Sequence, residues 1–251
     1  MRDTVAEQRP DLLERVQLLL GSDPFERVEE GTHFAQPAIF CASVAGWEGI
    51  GHPLGDYMAG HSLGELAALV AAEALEEQDG LELVVLRGRL MHEAGEREGG
   101  EQEWRGIGRE LNEIGKAVTG EGLRFGWHNH HWEYGRAGSG KTYLECLFEE
   151  APDLVWEADL AWIVRGGGDP VAEIKKHAQR LVACHIKDLA PSGQCADEDG
   201  WADPGHGIMD WPALRAAMTE AGVSLFVAEH DKPNDVARFA RRARETVSSW
   251  T

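Results

Sequence analysis

The 251-residue sequence is poor in positive charge. Lysine and arginine number 24 against 44 aspartates and glutamates, a formal net charge of −20. That leaves no basic footprint for a nucleic-acid backbone or an anionic membrane surface. Cysteine is scarce too. Cys41, Cys146, Cys184 and Cys195 show no CxxC spacing, which predicts reduced thiols in a cytoplasmic protein. No apolar run approaches the ~20 residues of a membrane span, and MRDTVAEQRP carries no apolar signal segment. The remaining composition, 43% hydrophobic and 27% charged, suits one large folded domain or two small ones.

Two patterns divide the chain. Residues 1–95 are mainly helical: DLLERVQLLL, PAIFCASVAGWE with Pro37 in its first turn, LAALVAAEAL and LELVVLRGRLMHEA. AGEREGGEQEW, residues 94–104, is charged and nearly free of apolar side chains, which places a junction at 96–104. From 105 to 251, helices alternate with four strands, LRFGWHNHHWEY, LVWEADLAW, RLVACHIKD and SLFVAEHD. Single helices between strands predict an α/β fold of parallel βαβ units.

Each of these strands ends in polar, metal-competent residues. The first carries His128, His130, His131 and Glu133, and the second Glu157 and Asp159. The third carries His185, Lys187 and Asp188, and the fourth Glu229, His230 and Asp231. In a (β/α) barrel the strand C-termini converge on one rim. Carboxylates and imidazoles gathered there suit one Mn, Mg, Co or Zn ion, which stabilises an enediolate while a carboxylate moves the proton.

GWHNHHWEY, EADLAWIVRGGGDP, RLVACHIKDLAPSG, DEDGWADPGHGIMDW and VAEHDKPNDVARFARR resemble the sugar phosphate isomerase/epimerase family over about residues 102–250. The resemblance implies a xylose-isomerase-like TIM barrel binding one divalent metal and acting on a small sugar or sugar phosphate. It implies Asp159, His185 and Glu229 as ligands, joined by His128 or Glu133 from the first strand. Glu133 or Glu229 would transfer the proton, with Lys187 an electrostatic partner of the substrate. Trp162 stands where many relatives have histidine. Only the second half of such a barrel is present, so its open strand edges are expected to give either self-association or marginal stability.

GHSLGE, residues 60–65, is a G-x-S-x-G nucleophile elbow. With FAQPAIFCAS and DGLELVVLRGRLM around it, residues 10–95 resemble the malonyl-CoA:acyl-carrier-protein transacylase family. That resemblance implies Ser62 as the acyl-accepting nucleophile, the Leu63 N–H as an oxyanion donor and Arg87 as the partner of the malonyl carboxylate. The family's GQGSQ segment and catalytic histidine are missing; His61 and His92 are the nearby histidines. The chain therefore looks like a chimera of a transacylase-like fragment and an incomplete TIM barrel. Three activities compete: metal-dependent isomerisation, acyl transfer through Ser62, or none in a fused remnant. GRAGSGKT, residues 135–142, also satisfies the Walker A pattern, but it follows a histidine-rich strand and precedes a short helix, so no phosphate loop is expected.

Overall fold

The structure, a computed structural model, describes residues 1–250 apart from Leu54, Asp56, Tyr57, Ala59, His61, 96–98, Glu121 and Leu123. The chain forms two compact units, Met1–Glu98 and Gly99–Thr251.

Among its described residues the first unit is built from helices and no strand: α1 (Arg2–Gln8), α2 (Pro10–Leu20), α3 (Thr32–Gly49), α4 (Gly64–Ala71) and α5 (Glu77–Gly95). Pro10 opens α2, and Gly21 closes it in the left-handed conformation that glycine adopts without strain. Val5, Leu12, Val16, Phe40, Val44, Leu81 and Val84 form the buried core. The helix expected to start at Pro37 begins instead at Thr32, because Phe34 and Gln36 belong to its buried face. Gly88 lets α5 cross α3 closely, since a Cβ there would lie 2.8 Å from the Thr32 carbonyl oxygen. That crossing sets Arg87 beside Gln36. Much of the segment just ahead of Ser62 lies outside the described residues.

The second unit carries a parallel sheet in the order β1–β2–β3–β6, formed by Gly126–His128, Val155–Asp159, Leu181–Ile186 and Leu225–Ala228. Helices α6 (Glu101–Gly120), α7 (Tyr143–Glu150), α8 (Leu160–Arg165), α9 (Pro170–Lys176), α10 (Trp211–Glu220) and α11 (Val236–Ser248) complete it. Side-chain caps start these helices where the sequence changes pattern. Asp169, Asp210 and Asp235 accept backbone N–H groups at the starts of α9, α10 and α11. Trp156, Leu160, Ile163, Ile174 and Ile186 lie at the centre of the core. Among the described residues, β1 and β6 each pair on one side only.

Three local features depart from the sequence pattern. Glu101–Trp104, expected in a linker, form the first turn of α6, because Trp104 and Ile107 pack on the core of this unit. The strand expected over 123–134 shrinks to Gly126–His128, followed by a 3₁₀ turn at Trp132–Tyr134. The reason is Asn129: its buried amide binds the Asp159 backbone and the Trp156 indole instead of extending the ladder. The acidic loop 189–209 contains a short antiparallel pair, β4 (Asp188–Leu189) with β5 (Trp201–Ala202). Asp188 pins it by accepting N–H groups from Leu189, Gly205, Gly207, Met209 and the Trp211 indole at 2.8–3.2 Å.

Candidate metal centre and candidate acyl site

Parallel strands bring their C-terminal ends to one edge, and the register fixes which side chains meet there. His128 ends β1 opposite Glu157, Asp159 ends β2 opposite His185, and Glu229 follows β6. One donor atom from each of His128, Asp159, His185 and Glu229 lies within 4.8 Å of the others. His185 Nδ1 is 2.5 Å from Glu229 Oε2 and 4.0 Å from Asp159 Oδ2. Asp159 is held from two sides: its Oδ1 accepts the Trp162 N–H at 2.9 Å, and its backbone N–H and carbonyl bind Asn129. Asp159 Oδ2 and His128 Nδ1 are buried without hydrogen-bond partners. Two unsatisfied buried donor atoms among two carboxylates and two imidazoles fit a divalent cation.

The electrostatics agree with that fit. Burial, reinforced by His185, pushes His128 down to about 3, so it stands as a neutral imidazole with a lone pair to give. Burial would lower His185 as well, but Glu157 and Glu229 outweigh it and raise the imidazole to about 9. Desolvation lifts Asp159 to about 6 against the pull of Lys187. Carboxylates crowded in a dry site favour an added positive charge.

Lys187 supplies one fixed charge. Its ammonium is buried 2.5 Å from Asp231 and 3.6 Å from both Asp159 and Glu229. It also faces the indoles of Trp201 and Trp162 at 4.3 and 5.0 Å. Glu133 is not among the four clustered residues. Its carboxylate accepts the Trp127 indole N–H at 3.2 Å and the His130 backbone N–H at 3.0 Å. Burial raises it to about 7. Of the two first-strand candidates, the structure thus brings His128 to the group.

Sequence reasoning missed the role of Asn129, and it singled out Glu157 without a partner. Both supports are long-range contacts that no local spacing shows. Trp162, noted only as a substitution, donates its backbone N–H to Asp159, the N-cap of α8, and its indole walls Lys187.

In the first unit, Ser62 takes a left-handed backbone conformation, φ 53°, the strained geometry of an exposed elbow. A Cβ on Gly60 would fall 1.9 Å from the Gly64 carbonyl oxygen, so glycine is required there. Arg87 Nη2 donates to Ser62 Oγ at 3.0 Å, while Nη1 donates to Gln36 Oε1 at 2.5 Å. Leu63 is buried just ahead of α4. His92 packs on His33 with ring centroids 4.0 Å apart; His61 lies outside the described residues.

The xylose isomerase-like TIM barrel family model matches residues 66–248, well over half of the chain. The chain belongs to the xylose isomerase-like TIM barrel family. The acyl transferase domain model matches residues 15–114, so the two matches overlap over 66–114. The xylose isomerase-like chain is 43% identical over 86 residues to the malonyl CoA-acyl carrier protein transacylase of Haemophilus influenzae, covering 30% of this chain and 28% of that protein. It is 24% identical over 163 residues to the rhizopine catabolism protein MocC of Rhizobium meliloti, covering 59% and 50%. Among solved structures, a sugar phosphate isomerase/epimerase from Parabacteroides distasonis superposes with a TM-score of 0.49 at 23% identity, covering 59% of this chain and 54% of that one. The chain thus spans half or less of the curated relatives it matches. Among the described residues, no helix is long and apolar enough to cross a membrane.

Proposed function

We propose that the second unit is a divalent-metal-dependent isomerase or epimerase acting on a small sugar or sugar phosphate. The observation that carries this reading is the convergence of His128, Asp159, His185 and Glu229 from four strand ends. These residues would hold one Mn, Mg, Co or Zn ion. Such an ion polarises a substrate carbonyl and its neighbouring hydroxyl. Glu229 takes the proton from the carbon beside the carbonyl, and the electron pair moves onto the carbonyl oxygen. Returning that proton to the opposite face of the same carbon gives an epimer. Returning it to the former carbonyl carbon, while the neighbouring hydroxyl proton passes to the former carbonyl oxygen, gives an isomer, with no net change in atoms. Lys187, 3.6 Å from Glu229, keeps the local charge balanced, and Trp162 and Trp201 exclude water from its ammonium. Family membership and the two unsatisfied buried donors support the reading. Among the described residues β1 and β6 each pair on one side only, and strand pairing there would give two copies a route to self-association.

Metal content per chain on a single gel-filtration peak tests it. About one Mn, Co or Zn per chain is expected, with less than a tenth of that in Glu229→Ala. Metal-free wild-type protein after growth in metal-supplemented medium would end the reading.

A second reading, acyl acceptance by Ser62, is favoured by the Arg87–Ser62 hydrogen bond and the left-handed backbone of Ser62. Labelling by malonyl-CoA, lost in Ser62→Ala, is its expected mark.

A further inference from the structure

The two nitrogens of an imidazole point away from each other, and in His185 both face carboxylates. Nδ1 faces Glu229 and Asp159, on the side of the proposed ligand cluster. Nε2 lies 3.3 Å from Oε1 of Glu157, a residue outside that cluster. Glu157 sits on β2 two residues before Asp159, in register with Ala183, so its side chain emerges on the His185 face of the sheet. His185 itself is almost fully buried, so water is a poor substitute for a protein acceptor.

We propose that Glu157 is the positioning residue of the metal centre. It accepts the Nε2–H of His185, so that a cation displacing the Nδ1 proton that faces Glu229 meets the Nδ1 lone pair, and it holds the ring against rotation about its Cβ–Cγ bond. A metal-bound histidine commonly gives its other N–H to such an acceptor, and loss of that partner weakens metal binding about 10–100-fold. Glutamine retains a carbonyl oxygen that accepts the same N–H, whereas alanine retains nothing. The contact therefore separates acceptor geometry from charge.

This inference rests on the proposed metal reading for its first readout but not for its second. The first is the Co²⁺ dissociation constant of the full chain, followed by absorption titration. Glu157→Ala is expected to bind about 10–100-fold more weakly than wild type, with Glu157→Gln within about threefold of wild type. Equal affinity of Glu157→Ala and wild type overturns the proposal, as does a Gln variant as weak as the Ala variant. The second readout is solvent exchange of the His185 Nε2 proton, observed by ¹⁵N–¹H NMR on metal-free, histidine-labelled protein. A slowly exchanging proton is expected in wild type and Glu157→Gln, and exchange at least about tenfold faster in Glu157→Ala. Unchanged exchange in Glu157→Ala overturns the proposal. If wild type takes up no Co²⁺, the metal reading fails alone and the exchange measurement decides the role of Glu157.

Discussion

The two units treat their signature residues differently. In the second, three of the four clustered residues have a support: Asn129 and the Trp162 N–H hold Asp159, Glu157 faces His185, and the Lys187 ammonium lies 3.6 Å from Glu229. In the first, Ser62 Oγ meets a cation rather than a base, since Arg87 Nη2 donates to it. A serine hydroxyl gains nucleophilicity from a group that accepts its proton, and a guanidinium cannot do so. Parallel strands deliver many side chains to one edge, so a sheet of four strands already gathers metal-competent groups there. An elbow on a helical unit delivers one side chain and depends on other segments for the rest.

The sharpest break in this comparison is Asp188→Ala. Removing a buried carboxylate that accepts five N–H groups leaves the Gly205, Gly207 and Met209 amides and the Trp211 indole without their acceptor. A loss of roughly 3–5 kcal/mol is expected, confined to the second unit. Calorimetry should show one transition shifted down and the other in place. A uniform shift of both would mean the units do not melt separately.

Next in size is a pH effect from Glu133. Burial raises its folded-state carboxyl from 4.5 to about 7, so the folded state holds a proton that the unfolded state releases at lower pH. Its contribution is complete below the ordinary carboxylate range and lost as pH rises through about 7. Up to about 3 kcal/mol of second-unit stability is expected to disappear between pH 5 and 8. In Glu133→Gln, denaturant midpoints over that range should flatten; an unchanged slope would assign the titration elsewhere.

A smaller effect tests the first unit. Arg87→Ala removes the donors to Ser62 Oγ and to the buried Gln36 Oε1. About 1–2 kcal/mol should be lost from the first-unit transition, together with any malonyl-CoA labelling of Ser62. Labelling that survives the substitution would separate Arg87 from carboxylate recognition.

Much of the second unit is legible in the sequence. The alternation of helix and strand, the helix starts at Asp169, Asp210 and Asp235, and the histidines or carboxylates at each strand end are local signals with local causes. The rest depends on contacts across the sheet. Asn129 looks like one more polar residue in HNHH until β2 lies beside it, and Glu157 looks like ordinary alternation along a strand. Glu101–Trp104 looks like a linker because its charge is visible in the sequence, whereas the surface that Trp104 covers is not.

GRAGSGKT carries the smallest expected effect. The pattern asks for backbone N–H groups free to cradle phosphate and a lysine free to reach it. Here the Thr142 side chain accepts the Glu145 N–H, and Glu145 accepts the Thr142 N–H, so the pair forms a capping box that starts α7. Lys141 pairs with Glu149 at the surface. The two residues should therefore respond in the opposite order to that of a phosphate loop. Thr142→Ala should cost about 1 kcal/mol of second-unit stability through the lost cap. Lys141→Ala should leave the unfolding midpoint and the response to added ATP–Mg²⁺ unchanged. A wild-type midpoint that rises with ATP, and does so only while Lys141 is present, would restore the nucleotide reading and make the cap a secondary use of the same residues.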